Sequence, residues 1–202
     1  MTARRRGLIV DRDGTLIDVV RDEETGAITT AFHPSQLRLL KGVVAGLGKL
    51  AQAGYAIAIA TNQPGPAKGH FSQDAVARTN DALVAMLAAG GIVIEQVAVC
   101  MHHPEGGPGG DPALVGPCLC RKPRTGMLDA LVTSLGLDRG ASWMVGDTSS
   151  DVEAGQAAGM QTALVFDPKR CELCPLRGGP STLPTVHGAN FGALAELILS
   201  RG

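Results

Sequence analysis

Short apolar runs alternate with helix-type patterns along almost the whole chain of 202 residues, and this alternation is what most restricts its fold. Runs with the length of buried strands lie at Gly7–Val10, Ala56–Ala60, Ile92–Val99, Ser142–Val145 and Gln161–Val165. The alternation predicts an α/β fold with a mainly parallel, doubly wound sheet that helices cover on both faces. Ligands of such sheets bind beyond the carboxyl ends of the strands. Polar residues at those ends are therefore the first candidates for a functional site.

The segments between the apolar runs carry helix signals. Helices are predicted at Val43–Ala53, from Ser72 to about Ala89, and at Met127–Leu135, Ser150–Ala158 and Gly192–Leu199. Two long stretches, Asp18–Leu39 and Met101–Pro123, break this rhythm, and loops of such length within a compact domain tend to be functional. Neither stretch has room for a separate cap domain. We therefore expect one domain over residues 1–202.

Composition excludes several classes of protein. The formal net charge is −1 and aromatic residues make up 3% of the chain, so there is neither a basic surface nor a base-stacking platform for nucleic acid. No apolar run approaches the ~20 residues that cross a bilayer, and no signal peptide is visible. The expectation is a cytoplasmic protein, a monomer, with no nucleic-acid or membrane partner.

Two carboxylates follow the first predicted strand. Asp11 and Asp13 flank Arg12 and precede Gly14-Thr15. Carboxylates placed in this way can converge on Mg²⁺, which prefers oxygen ligands. A carboxylate can also attack phosphorus to form an acyl phosphate, and a second acid can protonate the leaving oxygen. The alternative interpretation is a turn built on Asp-Gly.

Further polar residues follow other predicted strands. The hydroxyl of Thr61 and the amides of Asn62 and Gln63 can donate hydrogen bonds to phosphoryl oxygens, although a polar turn before Pro64 explains them equally well. Asp147 follows Ser142–Val145 and could complete a metal site.

Two more segments leave alternatives open. Asp151 lies at a helix start, where a carboxylate is either a site residue or an ordinary cap. Arg121 and Lys122 end the second long loop and can offset the charge of a transferring phosphoryl group, or form a solvated pair.

The joint pattern is more specific than its parts. The motifs DxDGT, TN, RKP and GDxxxD occur in this order between Leu8 and Met160. Together they resemble the haloacid dehalogenase (HAD) superfamily of phosphohydrolases. The longer segments VDRDGTL, ATNQPGPAKG, CMHHPEG, CLCRKPRTGML and MVGDTSSDVEAG are similar to the D-glycero-D-manno-heptose 1,7-bisphosphate 7-phosphatase family. The histidinol-phosphatase family is its close relative.

This resemblance implies a magnesium-dependent phosphatase that acts on a small phosphorylated metabolite through an aspartyl phosphate. It makes Asp11 the nucleophile and Asp13 the general acid and base, with Mg²⁺ held by Asp11, the backbone carbonyl of Asp13 and Asp147. Thr61 and Lys122 would steady the phosphoryl group. The remaining predicted residues share a role in substrate binding: Asn62, Gln63, Arg121 and Thr148.

The chain also departs from the family pattern. Pro64, Lys68 and Thr148 stand where the family commonly has Ser, Arg and Lys. These departures leave the hydrolytic residues intact and leave the sugar and its anomer open. The alternatives are a histidinol-phosphate phosphatase, which the acidic residues Asp22, Glu23 and Glu24 would suit, and a non-catalytic HAD-fold binding protein.

Four of the candidate metal ligands bracket the second long loop. Cys100, His102, Cys118 and Cys120 fit a closed tetrahedral Zn²⁺ site, which predicts a structural zinc that staples the loop. His103 is a rival ligand, but the Cys-x-His of the resembling family favours His102. The other interpretation is a set of idle thiols.

The chain has five cysteines, and the last two form a separate pair. Cys171-x-x-Cys174 is half of a metal site, a redox pair or neither, because no second pair or nearby histidine follows it.

Overall fold

The computed structural model describes residues 5–21, 24, 26–166 and 183–201. Strands in this part of the chain are β1 (Arg5–Val10), β2 (Val20–Arg21), β3 (Ile28–Thr29), β4 (Ala56–Asn62), β5 (Gln96–Cys100), β6 (Leu137–Gly146), β7 (Gln161–Val165) and β8 (Val186–Gly188). Helices are α1 (Val43–Gln52), α2 (Gly65–Lys68), α3 (Gln73–Ala89), α4 (Gly126–Leu135), α5 (Ser149–Ala157) and α6 (Phe191–Leu199). Single 3-10 turns lie at Pro34–Gln36 and Pro112–Leu114.

Six strands form one parallel sheet in the order β5-β4-β1-β6-β7-β8. The chain builds outward from β1 in one direction through β4 and β5, and then in the other direction through β6, β7 and β8. The strand order therefore reverses at β1, and the carboxyl ends of β1, β4 and β6 meet at this switch point. The predicted doubly wound α/β fold is confirmed.

Alternate residues of the central strands pack on opposite faces of the sheet, as the period of two requires. In β1, Leu8 and Val10 contribute to the core that α1, α3 and α6 cover, whereas Ile9 contributes to the core beneath α4 and α5. Trp143 and Met144 divide in the same way in β6. Burial on both faces holds the central strand ends rigidly.

The structure corrects several predicted element bounds. The strand predicted at Ile92–Val99 occupies Gln96–Cys100 instead, because Ile92 is a core residue of the turn after α3. An apolar run by itself does not distinguish a strand from a buried turn. The short helix α2 and the strand β8 were not predicted, and β6 begins five residues before the predicted Ser142.

The stretch Asp18–Leu39 is less regular than the rest of the fold. It contains the two-residue strands β2 and β3 and the turn Pro34–Gln36. Within the described residues, no separate cap domain follows β1. Across the same residues, no helix combines the length and the apolar character that a membrane span requires.

Candidate active site

Three carboxylates meet where β1 and β6 end. Asp11 follows β1, and its backbone N–H donates to the Val145 carbonyl of β6 at 2.8 Å. Asp147 follows β6, and Asp151 lies in the first turn of α5. One carboxylate oxygen of each lies within 4.8 Å of the other two. The sequence placed Asp11 and Asp147 together, and the structure brings Asp151 to the same point.

Lys122 supplies a positive charge inside this group. Its Nζ donates to Asp11 Oδ1 at 2.7 Å and to the Ala60 carbonyl of β4 at 2.7 Å. Nζ also lies 2.5 Å from Asp151 Oδ1. Burial opposes the charge of this side chain, but the carboxylates of Asp11 and Asp151 outweigh that effect and raise the pKa of Lys122. Lys122 is therefore a fixed cation that holds Asp11 and Asp151 together.

One lysine does not balance the three acids, of which Asp11 and Asp151 are buried and Asp147 is partly buried. Burial, followed by repulsion from neighbouring carboxylates, raises the pKa of Asp11 to about 7 against the attraction of Lys122. Burial and the charges of Asp11 and Asp151 also raise the pKa of Asp147 well above its ordinary value. A divalent cation relieves this kind of repulsion, and hard oxygen donors are the ligands that Mg²⁺ prefers. The residues present therefore fit a magnesium ion.

Asp151 is the residue of this group whose role the sequence left open. It is also a helix cap, because its Oδ2 accepts from the Thr148 N–H at 3.1 Å and from the Thr148 hydroxyl at 2.7 Å. One oxygen thus holds the helix start and the other contacts Lys122. The Thr148 hydroxyl is engaged in this cap, and its predicted contact with substrate stays a prediction.

Asn62 holds the backbone beside Lys122. Its Nδ2 donates to the Lys122 carbonyl at 3.1 Å, and its Oδ1 accepts from the Lys122 N–H at 3.1 Å. This pair of bonds joins the end of β4 to the loop that carries the lysine. Substrate binding by Asn62 stays a prediction, and the observed contact fixes Lys122.

Asp13 lies apart from the three-carboxylate group, in a hydrogen-bonded setting of its own. Its Oδ2 accepts from Gln63 Nε2 at 2.6 Å, and the same nitrogen donates to Thr61 Oγ1 at 2.8 Å. Gln63 is fully buried, so its amide serves Asp13 and Thr61. Arg12, which was not predicted as a site residue, donates to both oxygens of Asp13. The only signal for Arg12 was its place between the two aspartates.

A second group of possible metal ligands lies on the loop after β5. Cys100 Sγ lies 3.7 Å from Cys118 Sγ and 3.8 Å from His102 Nδ1. Cys120 Sγ lies 2.9 Å from Cys100 Sγ and 3.3 Å from His102 Nδ1. All four atoms are within 4.8 Å of one another, which fits three thiolates and one imidazole around Zn²⁺.

The rival zinc ligand, His103, is directed elsewhere. Its Nδ1 accepts from the N–H groups of Glu105 and Gly106 at 3.3 and 3.1 Å. Burial, and then the positive charges of Lys68 and Arg121, lower the pKa of His103. Lys68 and Arg121 therefore both act electrostatically on His103, and we call these three residues the basic rim (Lys68, His103 and Arg121).

Arg121 and Arg124 both contact the loop of the cysteine group. Arg121 Nη1 donates to the His102 carbonyl at 3.4 Å, and Arg124 Nη1 donates to the Cys118 carbonyl at 2.7 Å. Recognition of substrate by Arg121 stays a prediction. The Cys171 and Cys174 pair lies outside the described residues.

Comparison with known proteins agrees with this architecture. Residues 119–170 match the model of the HAD-hydrolase-like family. The D-glycero-beta-D-manno-heptose-1,7-bisphosphate 7-phosphatase of Rhodopseudomonas palustris is 36% identical over 78% of this chain and 81% of its own. The D-glycero-alpha-D-manno-heptose-1,7-bisphosphate 7-phosphatase of Burkholderia mallei is 33% identical over 81% of this chain and 80% of its own.

A solved structure extends the likeness to the fold. The D,D-heptose 1,7-bisphosphate phosphatase of B. bronchiseptica, crystallised with magnesium and phosphate, has 27% sequence identity and a TM-score of 0.76. The match covers 98% of this chain and 99% of that chain. Because both the site geometry and these relatives agree, the chain is a HAD-like phosphatase and belongs to the D-glycero-D-manno-heptose-1,7-bisphosphate 7-phosphatase family.

Proposed function

We propose that this phosphatase removes the 7-phosphate of D-glycero-D-manno-heptose 1,7-bisphosphate, with Asp11 as the residue that accepts the phosphoryl group. The observation that carries the proposal is the contact of one buried lysine, Lys122, with both Asp11 and Asp151. A carboxylate held in this way at a strand end presents its second oxygen in a fixed direction. Such positioning is a large part of phosphoryl-transfer catalysis.

The reaction on this chain has two steps. Asp11 attacks phosphorus as the bond between phosphorus and the sugar oxygen breaks, and Asp13 donates its proton to that leaving oxygen. Water then attacks the phosphorus of the aspartyl phosphate and gives a proton to Asp13. Inorganic phosphate leaves, and Asp11 is restored. Thr61 and Lys122 would steady the phosphoryl oxygens, a role supported by the contact of Lys122 with Asp11 and by the amide that Thr61 shares with Asp13.

The proposed ligands of Mg²⁺ are Asp11, Asp147 and the backbone carbonyl of Asp13. Asp151 contacts Lys122 and so helps to hold this lysine against Asp11. Bound Mg²⁺ supplies positive charge that offsets the negative charge of the phosphoryl group. The excess of buried acid over buried base at this point supports the assignment.

The cysteine group is the proposed holder of a structural Zn²⁺. All four of its places would be filled by protein, so no position is open for chemistry. Arg121 and Lys122 directly follow Cys120. A zinc ion bound to Cys120 would therefore fix the backbone that positions Lys122 in the active site.

The basic rim supports a substrate with a second phosphate. Lys68 and Arg121 both act electrostatically on His103, and a second anionic group suits their two positive charges. For the rival substrate, histidinol phosphate, the acidic residues Asp22 and Glu23 lie outside the described residues. Monomeric state and cytoplasmic location stay predictions.

Phosphate release from purified protein with Mg²⁺ tests the proposal. We expect kcat/KM for the heptose bisphosphate, in one or both anomers, to exceed that for histidinol phosphate by at least about 100-fold, a typical contrast between preferred and related substrates. Asp11→Asn should lower both rates by more than about 10⁴-fold, as loss of a nucleophile does. Asp81→Asn, an exposed acid in α3, is the matched control. A preference for histidinol phosphate, or an active Asp11→Asn variant, would refute the proposal.

A further inference from the structure

Arg12 is a completely buried guanidinium next to the proposed acid and base. Its side chain is 0% exposed. Nε donates to Asp13 Oδ2 at 3.1 Å, and Nη2 donates to Asp13 Oδ1 at 3.2 Å. The planar fork thus meets both oxygens of one carboxylate, a geometry that a lysine cannot reproduce. This contact restricts rotation of the Asp13 carboxylate.

Other bonds of Arg12 anchor it outside the site. Nη1 donates to Asn80 Oδ1 at 2.7 Å, and Asn80 is a buried residue of α3. Nη2 also donates to Thr30 Oγ1 at 2.5 Å and to the Ala31 carbonyl at 2.8 Å. Arg12 therefore ties Asp13 to a core helix and to the loop that follows β3.

Gln63 also holds Asp13, at the same Oδ2 that accepts from Arg12 Nε. The amide nitrogen of Gln63 bonds both Asp13 and Thr61, and its Oε1 accepts from Thr30 Oγ1 at 3.1 Å. Asp13 thus accepts from a guanidinium and an amide, and Thr61 accepts from the same amide nitrogen. Only a narrow range of Asp13 positions keeps all these bonds.

We propose that Arg12 is a positioning residue for Asp13, and that Asn80 holds Arg12 in place. The inference rests on the proposed function, in which Asp13 gives its proton to the leaving sugar oxygen as the bond from Asp11 to phosphorus forms. A small displacement of an acid costs most when the leaving oxygen is a poor leaving group. An alcohol is such a group, whereas nitrophenolate departs without a proton.

The test compares kcat/KM for the heptose bisphosphate and for p-nitrophenyl phosphate, since kcat/KM reports the steps through departure of the leaving group. Asn80→Ala should lower the value for the sugar about 10-fold and the value for the aryl ester less than about 2-fold. Asn80→Asp keeps the oxygen that accepts from Arg12 and should restore the wild-type ratio. Thr79→Ala is the matched control, because the Thr79 hydroxyl is buried in the same helix and donates to the Ala75 carbonyl at 2.7 Å.

Asp13→Asn tests the acid role of Asp13 separately from the positioning role of Arg12. If that variant shows the selective loss on the sugar and Asn80→Ala does not, the positioning role of Arg12 is overturned and the acid stands. If Asp13→Asn lowers both values equally, the acid role itself fails, and this inference fails with it. Equal loss on both substrates in Asn80→Ala would show general damage to the fold and would also overturn the inference.

Discussion

The two groups of possible metal ligands in the described part of the chain are built in opposite ways. The acid group stands on the ends of buried parallel strands and on a helix start, so the sheet fixes it. In the cysteine group, Cys100 ends β5, but His102, Cys118 and Cys120 lie outside helices and strands. Two observed features link the groups. Lys122, two residues after Cys120, contacts Asp11. The backbone N–H of Gln63, whose side chain contacts Asp13, donates to the Cys100 carbonyl at 2.7 Å.

This difference indicates what each ion would contribute. The acid group exists because the fold brings strand ends together, so a metal there adds chemistry to a structure that is already in place. The cysteine group lies on a loop rich in glycine and proline, so a metal there would add order. Substitutions in the acid group should therefore lower activity, and substitutions in the cysteine group should mainly lower stability.

The sharpest way to break the acid group is to change Gly14. Its φ is +76°, and a Cβ added there would lie 2.0 Å from Asp147 Oδ2. Gly14→Ala should therefore displace Asp147 and lower kcat/KM about 100-fold, the usual result of a misplaced catalytic group. Steady-state phosphate release would measure kcat/KM, and circular dichroism would show whether the variant keeps its fold.

Gly54 offers the matched control. Its φ is +88°, and a Cβ there would meet nothing within 4 Å. Gly54→Ala carries the same left-handed strain, of about 1–2 kcal/mol, without touching the site, and should keep wild-type kcat/KM. Equal activities of the two alanine variants would show that Asp147 does not depend on Gly14.

The contrast also explains which parts of the site were predictable from sequence. Asp11, Thr61 and Asp147 follow apolar runs, and the rule that strand ends meet at one edge is enough to bring them together. The three cysteines of the cysteine group were predictable from their spacing, whereas His102 was preferred to His103 from the family resemblance. Arg12 was not, because its partners Asn80 and Thr30 are far away in the chain and only the tertiary fold brings them together.

The fold was predictable to a similar extent and for similar reasons. Strands with a continuous buried run, such as β4 and β7, are marked by apolar residues in the sequence, and their positions were predicted closely. β8 has three residues, of which only Val186 is buried, so no periodicity marks it. Ile92 misled the prediction because a core residue in a turn has the same apolar character as a strand residue.

A weaker effect on activity is expected from breaking the cysteine group. Cys118→Ser should reduce bound zinc from about one ion per chain to a small fraction of that value, because one of four ligands is lost. Lys122 would lose support from its loop, so kcat/KM should fall about 10-fold, as for other supporting contacts of a metal site. Elemental analysis and thermal melting would measure zinc and stability.

Cys171→Ser, a change in the other cysteine pair, is the control and should leave zinc content and kcat/KM unchanged. Native protein without zinc, or a Cys118→Ser variant with full zinc and an unchanged melting temperature, would contradict the proposed staple. Loss of zinc with a larger activity loss than Gly14→Ala would reverse the ranking of the two groups.

The smallest effect is a pH dependence of stability in metal-free protein. Burial raises the pKa of Asp11 from 3.8 to about 7, so the folded chain binds this proton more tightly than the unfolded chain does. Stability is then fully present below the unfolded pKa and falls as pH rises from about 4 to about 7. Asp11→Asn removes this proton, so its urea midpoint in EDTA should fall less over that range. The lowered pKa of His103 acts in the opposite direction but is common to both proteins, and it cancels in the comparison.

Saturating Mg²⁺ should stabilise wild type more at pH 7.5 than at pH 5, because the ion competes with the proton for the carboxylates. If the urea midpoints of wild type and Asp11→Asn change in parallel with pH, the pKa of Asp11 is not raised in the folded chain. A cation would then not be needed to relieve repulsion among the three carboxylates.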